Sequence, residues 1–143
     1  MKIGELASET NCTTETIRFY EKAGLLPHPK RTGGNYRSYD QAHVERLRFI
    51  RNCRALDMTH EEIRALLTWK DVSADGCGGV NALLDEHIGH VEARIGELRQ
   101  LKRQLGELRK QCQAEQRVDA CGILQSLASM ETEARQERHT HLG

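Results

Sequence analysis

Proline is nearly missing from this chain. The two present, Pro27 and Pro29, fall in one short stretch, so helices are free to run long elsewhere. Aromatic residues are scarce too, at 4%, which leaves little material for a large core. No apolar run approaches the roughly 20 residues of a membrane-spanning helix, and the opening MKIGELASETNC lacks the apolar stretch of a secretory signal. A cytoplasmic protein is expected. Net charge is absent as well: 21 Lys and Arg balance 21 Asp and Glu, which excludes a polycation held to nucleic acid by bulk charge. The five cysteines include no Cys-x-x-Cys pair, so neither a zinc ribbon nor a thioredoxin-like motif is offered, and five is an odd number for a disulfide framework. The thiols are then buried apolar residues or metal ligands. No nucleophile–base pair and no open metal position in a pocket can be picked out, so an enzyme is not expected.

At 143 residues the chain suits one domain, or one small domain with an appendage. Its 29% charged residues, with abundant Leu, point to long exposed helices. Charge is uneven along it: residues 18–54 carry nine Lys and Arg against three Asp and Glu. A local basic patch on a neutral chain reads as a nucleic-acid face.

The element pattern supports that reading. Ile3, Leu6 and Ala7 suggest a first helix ending near Thr10, and Thr13 is a candidate N-cap for a second over residues 14–23, stopped by Gly24. Two short helices with a tight polar turn make a helix-turn-helix. In LLPHPKRTGGNYRSY the prolines hold the chain extended, and Gly33-Gly34-Asn35 can supply a hairpin turn. Arg31, Tyr36, Arg37 and Tyr39 then lie in a small wing whose Arg and Tyr side chains would contact phosphates. Asp40 caps a third helix with Val44, Leu47, Ile50 and Cys53 inward; Thr59 and Glu62 form a capping box for a fourth, with Ile63, Leu66 and Leu67 inward.

Residues 71–79, DVSADGCGG, are too glycine-rich to continue a helix comfortably. From 80 to 111 runs one long helical pattern with an apolar stripe at Leu84, Ile88, Val91, Ile95, Leu98, Leu101, Leu105, Leu108 and Cys112. The three-and-four spacing is that of a coiled-coil seam, which needs a partner helix; a second copy of the chain supplies one. GILQSLASM can form a short amphipathic helix, and residues 129–143 read as a mobile tail.

Three cysteines raise the question of a metal. A 32-residue helix spans about 48 Å, so Cys77 and Cys112 of one chain lie at opposite ends of a rod. In an antiparallel homodimer, the register that sets Cys77 opposite the partner's Cys112 also pairs Leu84 with Leu105, Ile88 with Leu101 and Val91 with Leu98. A register shifted by one heptad fits the apolar stripe equally well. In the first register each end of the dimer gathers Cys77 of one chain with Cys112 and Cys121 of the other, the intervening residues 113–120 being enough for a loop. Three thiolates favour soft or borderline ions. Cys12 and Cys53 are read as core residues. His87 and His90, at i and i+3, with His139 and His141 in the tail, form a possible auxiliary metal set, against the default of solvated histidines.

Taken together, IGELASETNCTTETIRFYEKAGLLP, GGNYRSYDQAHVERLRFIRNCRALDMTHEEIRALL and CGGVNALLDEHIGHVEARIGEL resemble the MerR family of transcriptional regulators, and within it the cadmium- and lead-responsive branch, over residues 1–127. The resemblance implies a mainly α fold: a winged helix-turn-helix DNA-binding domain (1–70), a linker with Cys77 (71–79), a long antiparallel coiled-coil dimerisation helix (80–111), and a metal-binding loop and short helix (112–128). It implies a homodimer on palindromic promoter DNA that activates heavy-metal resistance or efflux genes by distorting the promoter for RNA polymerase. Thr14, Thr16, Arg18 and Tyr20 would lie in the recognition helix, and Arg31, Asn35, Tyr36, Arg37 and Tyr39 in the wing. Cys77, Cys112 and Cys121 would hold cadmium(II) or lead(II), with zinc(II) or mercury(II) as alternatives. A thiol-redox regulator and a metal-buffering protein are the other readings.

Overall fold

The expected helix-turn-helix is built as α1 (Ile3–Thr10) and α2 (Thr14–Lys22) in a computed structural model that describes residues 1–34, 36–72 and 76–132. Thr13 is extended and its hydroxyl accepts the Thr16 amide at 3.0 Å, opening α2. Gly24 takes φ +76° just past the helix, a left-handed position that favours glycine. The wing is a two-stranded antiparallel ribbon, β1 (Lys30–Arg31) and β2 (Arg37–Ser38), with Arg31 opposite Arg37.

Helix α3 (Gln41–Ala55) starts at a capping box in which Asp40 accepts from the His43 amide and the His43 ring returns to the Asp40 amide. Before α4 (His60–Val72), Thr59 and Glu62 exchange the second capping box, at 3.1 and 2.9 Å. The anticipated inner faces are all buried: Val44, Leu47, Ile50 and Cys53 on α3, and Ile63, Leu66 and Leu67 on α4. Two clusters make this core, one around Leu6, Ile17, Leu26, Tyr39 and Leu47, the other around Leu25, Ile50, Met58, Ile63 and Leu67. Cys12 packs against the first and Cys53 belongs to the second; burial raises the Cys53 thiol pKa. Both thiols sit where a small hydrophobe is wanted.

Helix α5 (Gly78–Arg109) begins two residues earlier than its apolar stripe suggests and takes in Gly78 and Gly79. A side chain at Gly79 would meet the Trp69 ring at 3.1 Å, so packing offsets what glycine costs in helix propensity. A 3-10 turn (Val118–Ala120) and α6 (Gly122–Ser129) follow. Residues 1–83 form one compact unit and the chain from Leu84 onward another. In the second unit Leu84, Ile88, Ile95, Leu98 and Leu105 are exposed, between 38% and 57% of their surface. No described helix is long and apolar enough to cross a membrane.

Candidate nucleic-acid interface and metal centre

The basic face is assembled from α2 and the wing. Arg18 on α2 and Arg31, Tyr36 and Arg37 on the wing are exposed, Tyr36 at 72%. Arg31 and Arg37 stand directly opposite each other across the ribbon, like charges on adjacent strands. Thr14 and Thr16 are half-buried, and the Thr16 hydroxyl lies 2.8 Å from that of Thr13. Asn35 lies outside the described residues.

Of the two tyrosines expected on this face, Tyr39 belongs to the interior and Tyr20, on α2, is half-buried. Tyr39 is 2% exposed, and its hydroxyl donates to Glu21 Oε1 at 2.5 Å. Tyr20 is half-buried, packs against both core clusters and has its pKa raised, first by burial. The Tyr39 ring found a core position, which a sequence pattern of Arg and Tyr does not distinguish from an exposed one. Tyr39 therefore cannot make the expected phosphate contact, and it positions the wing. Glu21 on α2 is 5% exposed and takes both the Tyr39 hydroxyl and, at 3.6 Å, the Arg37 guanidinium. Burial, the Glu21 hydrogen bond and the Glu21 charge push Tyr39 up to about 12. His43 ties the base of the wing, its Nε2 lying 3.1 Å from the Pro27 carbonyl and its ring 5.1 Å from that of Tyr39. Neither Glu21 nor His43 stood out in the sequence; their only signal was a polar residue on an otherwise inward helix face.

The thiols divide by unit. Cys77 is exposed immediately before α5, its carbonyl accepting the Asn81 amide at 2.9 Å. It lines a cleft of about 490 Å³ with Phe49, Leu66, Trp69, Lys70 and Val80. At the far end of α5, Cys112 and Cys121 are both half-buried and their side chains are hydrogen-bond neighbours. The Leu124 amide, helped by the Ile123 amide and the Cys112 thiol, holds the Cys121 thiol below its ordinary pKa. The Gln116 side-chain amide reaches the Cys112 sulfur at 3.9 Å. Gly122 closes the loop: a Cβ there would stand 2.6 Å from the Gln111 carbonyl oxygen. A pair of neighbouring sulfurs, one already biased toward thiolate, fits a soft cation. His87 is buried and His90 exposed, their ring centroids 6.4 Å apart on α5. His139 and His141 lie outside the described residues.

The sequence matches the MerR HTH family regulatory proteins over residues 1–69 and the family's DNA-binding region over residues 44–108. A relative in Haemophilus influenzae, an HTH-type transcriptional regulator described as a ZntR homolog, is 50% identical over 110 residues, 77% of this chain and 82% of the relative. The chain belongs to the MerR family. The mercuric resistance operon regulatory protein of Bacillus cereus is 35% identical over 126 residues, 88% of this chain and 96% of that one. Among solved structures, the transcription regulator PbrR691 of Ralstonia metallidurans CH34, in complex with lead(II), aligns with a TM-score of 0.82 at 52% identity over 89% of this chain and 98% of that one. These MerR relatives are transcriptional regulators; the basic, exposed wing is the part of this chain suited to DNA.

Proposed function

We propose that this MerR-family chain is a cytoplasmic, metal-responsive transcriptional activator. Two copies pair through antiparallel α5 helices and sit on a palindromic promoter, Arg18, Arg31, Tyr36 and Arg37 gripping the duplex. Cys77 of one chain with Cys112 and Cys121 of the other would hold a soft divalent ion at each end of the dimer, lead(II) or cadmium(II), with zinc(II) or mercury(II) as the alternative. The observation that carries this reading is the Cys112–Cys121 pair at the end of α5, with Cys77 exposed at the start of the same helix. The relative solved with lead(II) supports the choice of ion. The exposed apolar stripe of α5 supports the partner helix. Bound metal supplies a three-thiolate tie between chains; α5 and the wing transmit it to the promoter, so that RNA polymerase can engage both of its elements.

The test is titration of the reduced protein with lead(II) and cadmium(II), followed by ultraviolet thiolate-to-metal absorption, on wild type and Cys77→Ser. Binding near one ion per chain, weakened for both metals by the substitution, is expected. Cys77→Ser binding like wild type would remove Cys77 from the site. Transcription from the promoter with each of the four metals then decides which is the inducer.

A further inference from the structure

Cys77 is exposed, yet the turn that carries it is held in place. Its carbonyl takes the Asn81 amide at 2.9 Å, so Cys77 stands at the N-cap of α5 and moves with the first turn of that helix. One ring packs that turn onto α4. A Cβ at Gly79 would lie 3.1 Å from two atoms of the Trp69 indole, tighter than an ordinary van der Waals contact, so the glycine lets the indole seat on the helix backbone. Trp69 and Val80 join the second core cluster, whose buried members on α4 are Ile63, Leu66 and Leu67. Tyr20 and Ala23, at the end of α2, pack against the same cluster. All of these residues fall within the compact unit 1–83. One apolar body therefore touches both the turn that bears Cys77 and the recognition helix.

We propose that Trp69 is a positioning residue for the metal signal: the indole, seated on Gly79, ties Cys77 to α4 and passes a pull on that thiol to the helices that hold DNA. Resting on the metal site proposed above, this role adds what couples that site to the DNA-binding unit. Close-packed side chains transmit a displacement, whereas an exposed loop absorbs it. An ion that binds Cys77 together with two thiolates of a second chain pulls on the first turn of α5, and the indole hands that pull to α4. Trp69 touches neither the ion nor DNA; it acts through Cys77. The ring is half-buried and borders the open cleft of about 490 Å³ that Cys77 also lines, so shortening it leaves the fully buried side chains behind it in place.

Trp69 is the chain's single tryptophan, so its emission reports on this contact alone. Titrating lead(II) into the full-length reduced protein is expected to change that emission, with an end point near one ion per chain, and Cys77→Ser is expected to abolish the change. Trp69→Leu is expected to weaken lead(II) binding about 10-fold, as loss of the support that orients a ligand does. It should cut lead(II)-induced transcription at least as much, while operator affinity of the metal-free protein stays as in wild type. Trp69→Phe should restore part of both losses. Gly79→Ala, which displaces the ring without removing it, should shift the emission of the metal-free protein and lower lead(II) affinity; it carries the same comparison if Trp69→Leu does not fold. A Trp69→Leu protein that binds lead(II) and induces like wild type overturns the positioning role. So does one whose metal-free operator affinity falls together with induction, which marks a ring that only keeps the domain folded. If wild type and Cys77→Ser bind lead(II) alike with unchanged emission, Cys77 is no ligand, and the metal site itself falls first.

Discussion

Replacing Tyr39 with phenylalanine isolates a single buried hydrogen bond that locks the wing to the recognition helix. The tyrosine hydroxyl donates at 2.5 Å to a Glu21 carboxylate that is 5% exposed. Phenylalanine keeps the ring in place and leaves that carboxylate, among the described residues, with the Arg37 guanidinium at 3.6 Å. A hydrogen bond to a charged group contributes about 1.5–3 kcal/mol. For a unit the size of residues 1–83, each kcal/mol moves the melting temperature by roughly 4–8 °C, so Tyr39→Phe is expected to melt at least about 6 °C lower at pH 7. The same bond carries a pH signature. Tyr39 has its pKa raised from 10.0 to about 12, so the phenol ionises in the unfolded chain before it does so in the folded one. Stability from this group is therefore complete below pH 10 and drains away between pH 10 and about 12. Thermal melts of wild type and variant across that window should converge as pH rises, the decline left in the variant belonging to Tyr20, whose pKa is also raised. A variant as stable as wild type at pH 7, with an identical alkaline decline, would refute the assignment of Glu21 as the latch.

Gly122→Ala should weaken lead(II) or cadmium(II) binding about 10- to 100-fold, as loss of the support that orients a ligand does, because the added carbon would lie 2.6 Å from the Gln111 carbonyl oxygen and shift the loop that carries Cys121; competition with a chelator measures it, and operator affinity of the metal-free protein should not move. Thr59→Ala removes the cap on the Glu62 amide and should lower stability by about 1 kcal/mol, read by urea unfolding with an unchanged m-value. Arg31→Ala should weaken operator binding across all sequences alike and reduce the slope of log K against log salt by about one per site contacted; a sequence-dependent loss would instead make Arg31 a base reader.

Much of the fold was legible because its signals are local. Thr13, Gly24, Asp40 and the Thr59–Glu62 pair each mark a helix boundary by satisfying backbone groups within a few residues, and the capping chemistry is the same in a peptide as in a protein. The α3 and α4 faces were legible because helical periodicity sorts inside from outside. Tyr39 was misplaced because that sorting fails beside a ribbon two residues long and for an amphipathic ring. A tyrosine beside arginines satisfies either a phosphate or a buried carboxylate, and only the position of Glu21, 18 residues away from Tyr39, decides.

The candidate metal centre has the opposite character. Cys112 and Cys121 could be paired from their spacing, yet spacing permits a loop without imposing one. What imposes it is the 3-10 turn, the α6 amides turned toward Cys121 and a glycine pressed on the Gln111 backbone, none of which carries a metal-ligand signature. Cys77 was legible for the reverse reason: an exposed thiol among glycines has no packing role to hide behind. How two such half-sites find each other is then a question of pairing, and there the apolar stripe was mute because it reads nearly alike forwards and backwards.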